Sequence, residues 1–232
     1  MVAMFSLHTF TSIVALASLS AFAAPSPRDT AADFDLPTGC SVSASVLQDL
    51  LPSNQTALIA PSSAPRFVAL GVGVQNYTCS STGTFSNIGA IAELFDISCI
   101  ASEPVQLKAY EGWSASSQTA LEFIDTIGHR SFVLGQHYFI ANPTAGGANE
   151  PKFDFTNDRL AGDTQAFAVS SRAGDIVAPT GSGDIDWLLL NTTSGDLAQQ
   201  IFRIATVGGT DASACTAGET ASVKYVAKYF FY

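Results

Sequence analysis

At 232 residues the chain is long enough for one domain with a substantial core. Ten Lys and Arg stand against twenty Asp and Glu, a formal net charge of −10 at pH 7. That balance excludes an electrostatic nucleic-acid binder, which needs a basic surface to displace counterions, and argues against adhesion to anionic membranes.

Residues 1–23, MVAMFSLHTFTSIVALASLSAFA, carry no charged side chain and include an apolar stretch from Ile13 to Phe22. Ala21 and Ala23 supply the small residues that a signal peptidase needs, so cleavage after Ala23 and secretion are expected. The polar APSPRDTAADFD that follows speaks against an anchor, and no later run reaches the roughly 18 apolar residues of a membrane span. Residues 24–38 are expected to form a loose lead, and 39–232 a single β-rich domain.

Within that domain, SVSASVLQDLLP suits a short helix capped by Ser43 or Ser45, with Val46, Leu50 and Leu51 inward. RFVALGVGVQNYT, PVQLKAY, RSFVLGQHYFI, QAFAVSS, IDWLLLN, QIFRIATV and SVKYVAKYFFY are rich in β-branched and aromatic residues and are bounded by turn formers, so they read as strands. SSQTALEFIDTIG breaks the series. Thr119 and Glu122 match a capping box, and Leu121, Ile124 and Ile127 recur at helical spacing. The expected fold is mainly β, a disulfide-stapled sandwich or barrel with one or two short helices.

The stretch GVGVQNYTC (71–79) resembles the start of a dinucleotide-binding loop, but its sixth position is Asn76 and strand formers follow it. No helix N-terminus is left to hold a pyrophosphate, and no NAD or other cofactor is expected. Read as a strand, it puts Gln75, Tyr77 and Cys79 on one face and Val72, Val74 and Asn76 on the other. Asn54, Asn76 and Asn191 head N-glycosylation sequons. A glycan on Asn76 faces solvent, so its face, shared with the two valines, must be partly covered or the sequon unused. Gln75 and Tyr77, turned inward, need partners or line a pocket. Cys40, Cys79, Cys99 and Cys215 are an even set without CxxC spacing, which reads as two disulfides of open connectivity rather than a metal site.

Several blocks taken together, GVGVQNYTC, AELFD (92–96), LGQHYF (134–139), DIDWLLLN (184–191), IFRIATVGG (201–209) and VKYVAKYFFY (223–232), resemble a fungal and bacterial family, domain of unknown function 3455. The resemblance runs from about Phe67 to Tyr232. It implies that 97–130 is an insertion, that Cys79 pairs with Cys215, and that Cys40 is left for Cys99. Some members carry a malate dehydrogenase label, which this chain, lacking the nucleotide loop, does not support.

His129 and His137 are the histidines beyond the expected signal, eight apart, and do not suggest a zinc site. No catalytic residue is assigned and no metal is expected; the aspartates of 154–163, Asp184 and Asp186 suit turns. His137 among apolar neighbours reads first as hydrogen-bonded structure. Arg203, alone in an apolar strand, requires an acid, carbonyls or an anion; pairing with Asp184, Asp186 or Glu93 is expected. Trp187 completes the candidate pocket of Gln75, Tyr77, His137, Trp187 and Arg203. On the last strand Tyr225, Tyr229 and Phe231 are expected to fill the core, with Lys224 and Lys228 keeping the other face wet. The expected function is non-enzymatic extracellular binding of a small molecule, a cell-wall component or a host-surface partner. The alternative is a secreted hydrolase or carbohydrate-active enzyme using His137 with a carboxylate such as Glu93 or Asp186.

Overall fold

The computed structural model describes residues 39–232, so the expected signal peptide and N-terminal lead lie outside the described residues. Eight antiparallel strands close into a barrel in chain order: β1 (Phe67–Cys79), β2 (Phe85–Asp96), β3 (Val133–Ile140), β4 (Glu150–Asp154), β5 (Phe167–Ile176), β6 (Trp187–Ser194), β7 (Gln200–Gly208) and β8 (Thr220–Phe231). Closure pairs β1 with β8 from Phe67↔Phe231 to Thr78↔Thr220, so no strand edge is left open. Of the two β architectures the sequence allows, the chain adopts the barrel.

Period-two alternation sorts every strand into a lumen face and an outer face. Ala69, Leu94, Ile201, Tyr225, Tyr229 and Phe231 belong to a buried cluster inside the barrel. Val68, Val72, Val74, Phe202, Val226 and Phe230, one step out of phase, belong to a second cluster on the outer wall. Three helices cover that wall: α1 (Val46–Leu50), α2 (Val105–Ala115) and α3 (Ala120–Ile127). The two valines beside Asn76 are therefore covered, as the alternation requires. Trp113 of α2 lies over them, and its indole Nε1 donates to the Gly73 carbonyl at 2.7 Å.

The glycines of GVGVQNYTC serve close approach. A Cβ at Gly71 would lie 2.6 Å from the Tyr229 ring, and one at Gly73 would sit 2.0 Å from the Ile91 carbonyl oxygen of β2. Bare backbone at Gly71 makes room for the Tyr229 ring in the lumen, and at Gly73 it lets β1 lie close against β2.

Four expectations change. PVQLKAY is not a strand but the start of α2, because β2 and β3 pair directly and leave no place in the sheet for a strand between them. Gln, Leu, Lys, Ala and Glu also favour helix there. β2 and β4 are strands with little β propensity, SNIGA in one and EPKFD in the other, held by neighbours on both sides. Leu51, just after α1, is buried as expected; within the helix it is Leu47 that is fully buried, while Val46 and Leu50 are half-buried against the same core. Lys228 is 1% exposed and donates to the carbonyls of Ala101 (2.7 Å) and Glu103 (2.6 Å). Lys224 donates to those of Trp113 and Ser116 at the end of α2. The covered wall puts both lysines to use as donors to main-chain carbonyls, Lys224 at the C-terminus of α2 and Lys228 in the turn before it, rather than leaving them in water.

α3 is capped as its sequence indicates: Thr119 Oγ1 accepts from the Glu122 amide, and the Thr119 amide donates to Glu122. The disulfides are Cys40–Cys99 and Cys79–Cys215, the pairing that the family resemblance implies. They close loops of 59 and 136 residues. In the chain-entropy view such closures contribute about 4 and about 5 kcal/mol, respectively. The first ties the residues before α1 to the helical segment after β2. The second ties the end of β1 to the β7–β8 loop.

Candidate functional site

One end of the lumen is filled by aromatic and aliphatic side chains. Phe231 meets Phe153 at 5.5 Å and Phe155 at 5.3 Å in edge-to-face contacts, with Leu134, Leu190 and Ile201 around them. The other end, toward the β1–β2, β5–β6 and β7–β8 loops, is polar. There β1 turns Gln75 and Tyr77 inward, β2 contributes Asn87, β3 His137, β7 Arg203, and β8 Tyr225 and Tyr229.

These side chains are mutually bonded. Asn87 Nδ2 donates to Gln75 Oε1 at 3.0 Å. The Tyr77 hydroxyl donates to the Gly209 carbonyl at 2.6 Å, and the Tyr225 and Tyr229 hydroxyls are hydrogen-bonded to each other at 2.9 Å. Burial raises the pKa of all three phenols, while the positive charge of Arg203 acts on each in the opposite sense. Arg203 Nε and Nη2 converge on the main-chain carbonyl of Asp186 at 3.2 and 2.9 Å. Its guanidinium also faces the Tyr229 hydroxyl.

His137 is 2% exposed, stacked on Phe153 with ring centroids 4.3 Å apart. Its Nδ1 lies 3.0 Å from the Lys152 carbonyl, so Nδ1 carries the proton and Nε2 the lone pair. Burial, first, and Arg203 also hold its pKa down to about 4, partly offset by the bond to Lys152. The ring is neutral at neutral pH.

Two features set this end apart. Among the described residues no carboxylate lies within ion-pair distance of Arg203; the ion pairs are His129–Asp158 and Lys152–Asp154. Two buried lumen groups also lack a partner: Gln75 Nε2, which faces the Tyr225 hydroxyl without reaching hydrogen-bond geometry, and Ser170 Oγ on β5. Gln75 is 3% exposed and Ser170 is fully buried. The amide nitrogen of Gln75 can only donate, the Ser170 hydroxyl can donate, and Arg203 is a cation, an inventory that suits an oxyanion.

Four of the five candidate residues, Gln75, Tyr77, His137 and Arg203, thus share the lumen. Trp187 does not. It sits on the outer wall with Phe202 and Ile204, its Nε1 without a partner, because β6 turns Leu188 and Leu190 inward. Arg203 meets the carbonyl of Asp186, not the expected carboxylate. The Asp184 carboxylate is taken by the Gly208 amide (2.6 Å) and the Thr180 hydroxyl (2.5 Å).

Glu93, which pairs across the sheet with Val72 and Gln136, also points outward, on the opposite face of the wall from His137. Its Oε2 is buried without a partner, and burial followed by the charge of Asp158 raises its pKa to about 8. Asn87 and Ser170 went unforeseen. β2 has no strand signature, and a serine in QAFAVSS gives no sign of facing a lumen.

Among the described residues no group of three or more His, Cys, Asp or Glu side chains is placed to hold a metal, and no helix is long and apolar enough to cross a membrane. Fold and site together define a closed antiparallel barrel with a helical jacket and a donor-rich polar end. The family model described as protein of unknown function (DUF3455) matches residues 60–232, and the chain belongs to that family. No curated protein and no solved structure matches it.

Proposed function

We propose that the protein is a secreted, non-enzymatic binding protein that takes a small molecule bearing a carboxylate or similar oxyanion at the polar end of its barrel. The observation that carries this reading is Arg203: a half-buried guanidinium inside a barrel, held by one main-chain carbonyl and facing no carboxylate within ion-pair distance. A half-buried cation without a counter-ion has lost part of its hydration, and an anionic ligand offsets that loss. The unpartnered Gln75 Nε2 supports the same reading, because it presents a donor that the protein leaves unused.

Catalysis finds less support. His137 is packed on Phe153 with one nitrogen bonded to main chain, and Glu93 lies on the other side of the wall. Secretion is supported by the N-terminal 23 residues and by two disulfides, which persist in oxidising compartments.

The test is thermal unfolding of the disulfide-intact protein against small carboxylates, phosphate and sulfate esters, neutral oligosaccharides and fatty acids. Ligand at one hundred times its Kd adds about 2.7 kcal/mol, a rise of roughly 5–10 °C for a domain of this size. The rise is expected with one anionic class and is expected to vanish in Arg203→Met. A shift with neutral sugars that survives Arg203→Met would sink the anion reading. No shift with any ligand would redirect the search to a cell-wall or host-surface partner.

A further inference from the structure

The outer wall carries a groove of about 620 Å³ between the N-terminus of α3 and strands β1, β2, β3 and β8. Its size falls within the usual range for small-molecule sites. Its lining mixes apolar and hydrogen-bonding groups, with Tyr138, Phe139, Gln118 and Asn149 among them. Two of its residues are unusually exposed for their type, Ile88 at 44% and Leu121 at 66%. An apolar pair left bare beside polar groups on a wall otherwise covered by helices indicates a missing occupant.

Asn76, the middle sequon asparagine, is itself part of that lining. Its Oδ1 accepts from Ser222 Oγ at 2.7 Å, which fixes the side chain and leaves Nδ2, the atom that carries a sugar in an N-glycan, without a protein partner. The other two sequon asparagines, Asn54 and Asn191, are exposed and line no such groove.

We infer that the occupant is the protein's own glycan: Asn76 is N-glycosylated, and the innermost sugars lie along the groove over Ile88 and Leu121. The modification takes place on the unfolded chain during export. Asn76 Nδ2 displaces the pyrophosphate of a lipid-linked oligosaccharide, an N–C bond forms as the anomeric C–O bond breaks, and the amide proton is lost to a base. Folding then lays the sugar into the wall. Its apolar faces meet Tyr138, Phe139, Ile88 and Leu121, and its hydroxyl and acetamide groups meet Gln118 and Asn149. The glycan thereby covers the gap that the helical jacket leaves. The inference depends on secretion and is independent of what the lumen binds.

Glycopeptide mapping of the secreted protein, followed by timed N-glycosidase release under native conditions, tests it. Asn76 is expected to be occupied, and its glycan to be released at least about tenfold more slowly than those at exposed sequons, since release must wait for the groove to open. Leu121→Glu, on the exposed rim, is expected to keep Asn76 occupied and to speed release. Thr78→Ala removes the sequon and is expected to lower Tm; Thr78→Ser keeps the sequon and is expected not to. A bare Asn76 beside an occupied Asn54 or Asn191 would overturn the inference, as would release at equal rates from Asn76 and an exposed site. Absence of glycan from all three sequons of the secreted protein would overturn it as well.

Discussion

The two ends of the barrel lumen are formed by the same strands and differ in what those strands turn inward. Along β8 the inward series runs Tyr225, Ala227, Tyr229, Phe231, from hydroxyls to a bare ring, and along β1 it runs from Ala69 through two glycines to Gln75 and Tyr77. At the apolar end each side chain is satisfied by contact alone. At the polar end Gln75 Nε2 has no partner and Arg203 is held by one main-chain carbonyl without a carboxylate; Ser170 Oγ, in the lumen wall, also has no partner. The contrast separates packing from polarity: one end is held by apolar contact, and the other bears the desolvation of a donor without a partner.

Truncation at the apolar end gives the largest expected effect. Phe231 is fully buried among Phe153, Phe155 and Ile201, so Phe231→Ala removes a ring and leaves a cavity that closed walls cannot collapse. A loss of about 3–5 kcal/mol in urea unfolding is expected. A loss below about 1 kcal/mol would mean that the apolar end is loosely packed and that the contrast between the ends is false.

The outer wall sharpens the comparison, because Glu93 is a buried group there that serves neither end. Its folded pKa is raised to about 8 from an ordinary 4.5. The folded state therefore binds more protons than the unfolded state between those values, and this contribution to stability falls as pH rises through that window, levelling off above about 8. Glu93→Gln keeps the shape without the charge. Its Tm is expected to match wild type near pH 4.5 and to exceed it by several degrees near pH 8.5, the penalty being on the order of a few kcal/mol. His137 acts in the opposite sense: with its pKa held down to about 4, it destabilises the fold as pH falls from 6.5 toward that value. Equal Tm differences at both pH values would show that the Glu93 carboxylate is solvated.

How much of this was legible in the sequence follows the same division. Alternation was enough to send Gln75, Tyr77 and the tyrosines of β8 inward, and lone polar residues in apolar strands, His137 and Arg203, marked themselves. Trp187 was misplaced because DIDWLLLN is apolar on both faces, so period two could not say which face met the lumen. The helical jacket was the larger loss. PVQLKAY pairs Val105 and Tyr110, which suit a strand, with Gln106, Leu107, Lys108 and Ala109, which suit a helix, and the direct pairing of β2 with β3 excludes it from the sheet. Without the jacket, Lys228 on β8 looked like a solvent lysine, whereas burial lowers its pKa to about 8 and two carbonyls hold it. Glu93 lies in AELFD, which carries too little strand signature for the sequence to assign its face, so its separation from His137 by the barrel wall is visible only in the fold.

Ser170 gives the smallest effect and the most direct comparison between the ends. Its Oγ is fully buried in the lumen without a partner, so the folded state bears the desolvation of a hydroxyl and gains no bond in return. Ala168, the preceding inward residue of β5, shows that a methyl group fits this wall. Ser170→Ala is therefore expected to stabilise the ligand-free protein by about 1 kcal/mol, read as a rise of roughly 2–4 °C in Tm. If the polar end serves the fold instead, the substitution breaks a bond and Tm falls. A rise in Tm accompanied by weaker binding of the anion that protects wild type would place Ser170 in the ligand's shell. A rise with unchanged binding would confine that shell to Arg203, Gln75 and the tyrosines.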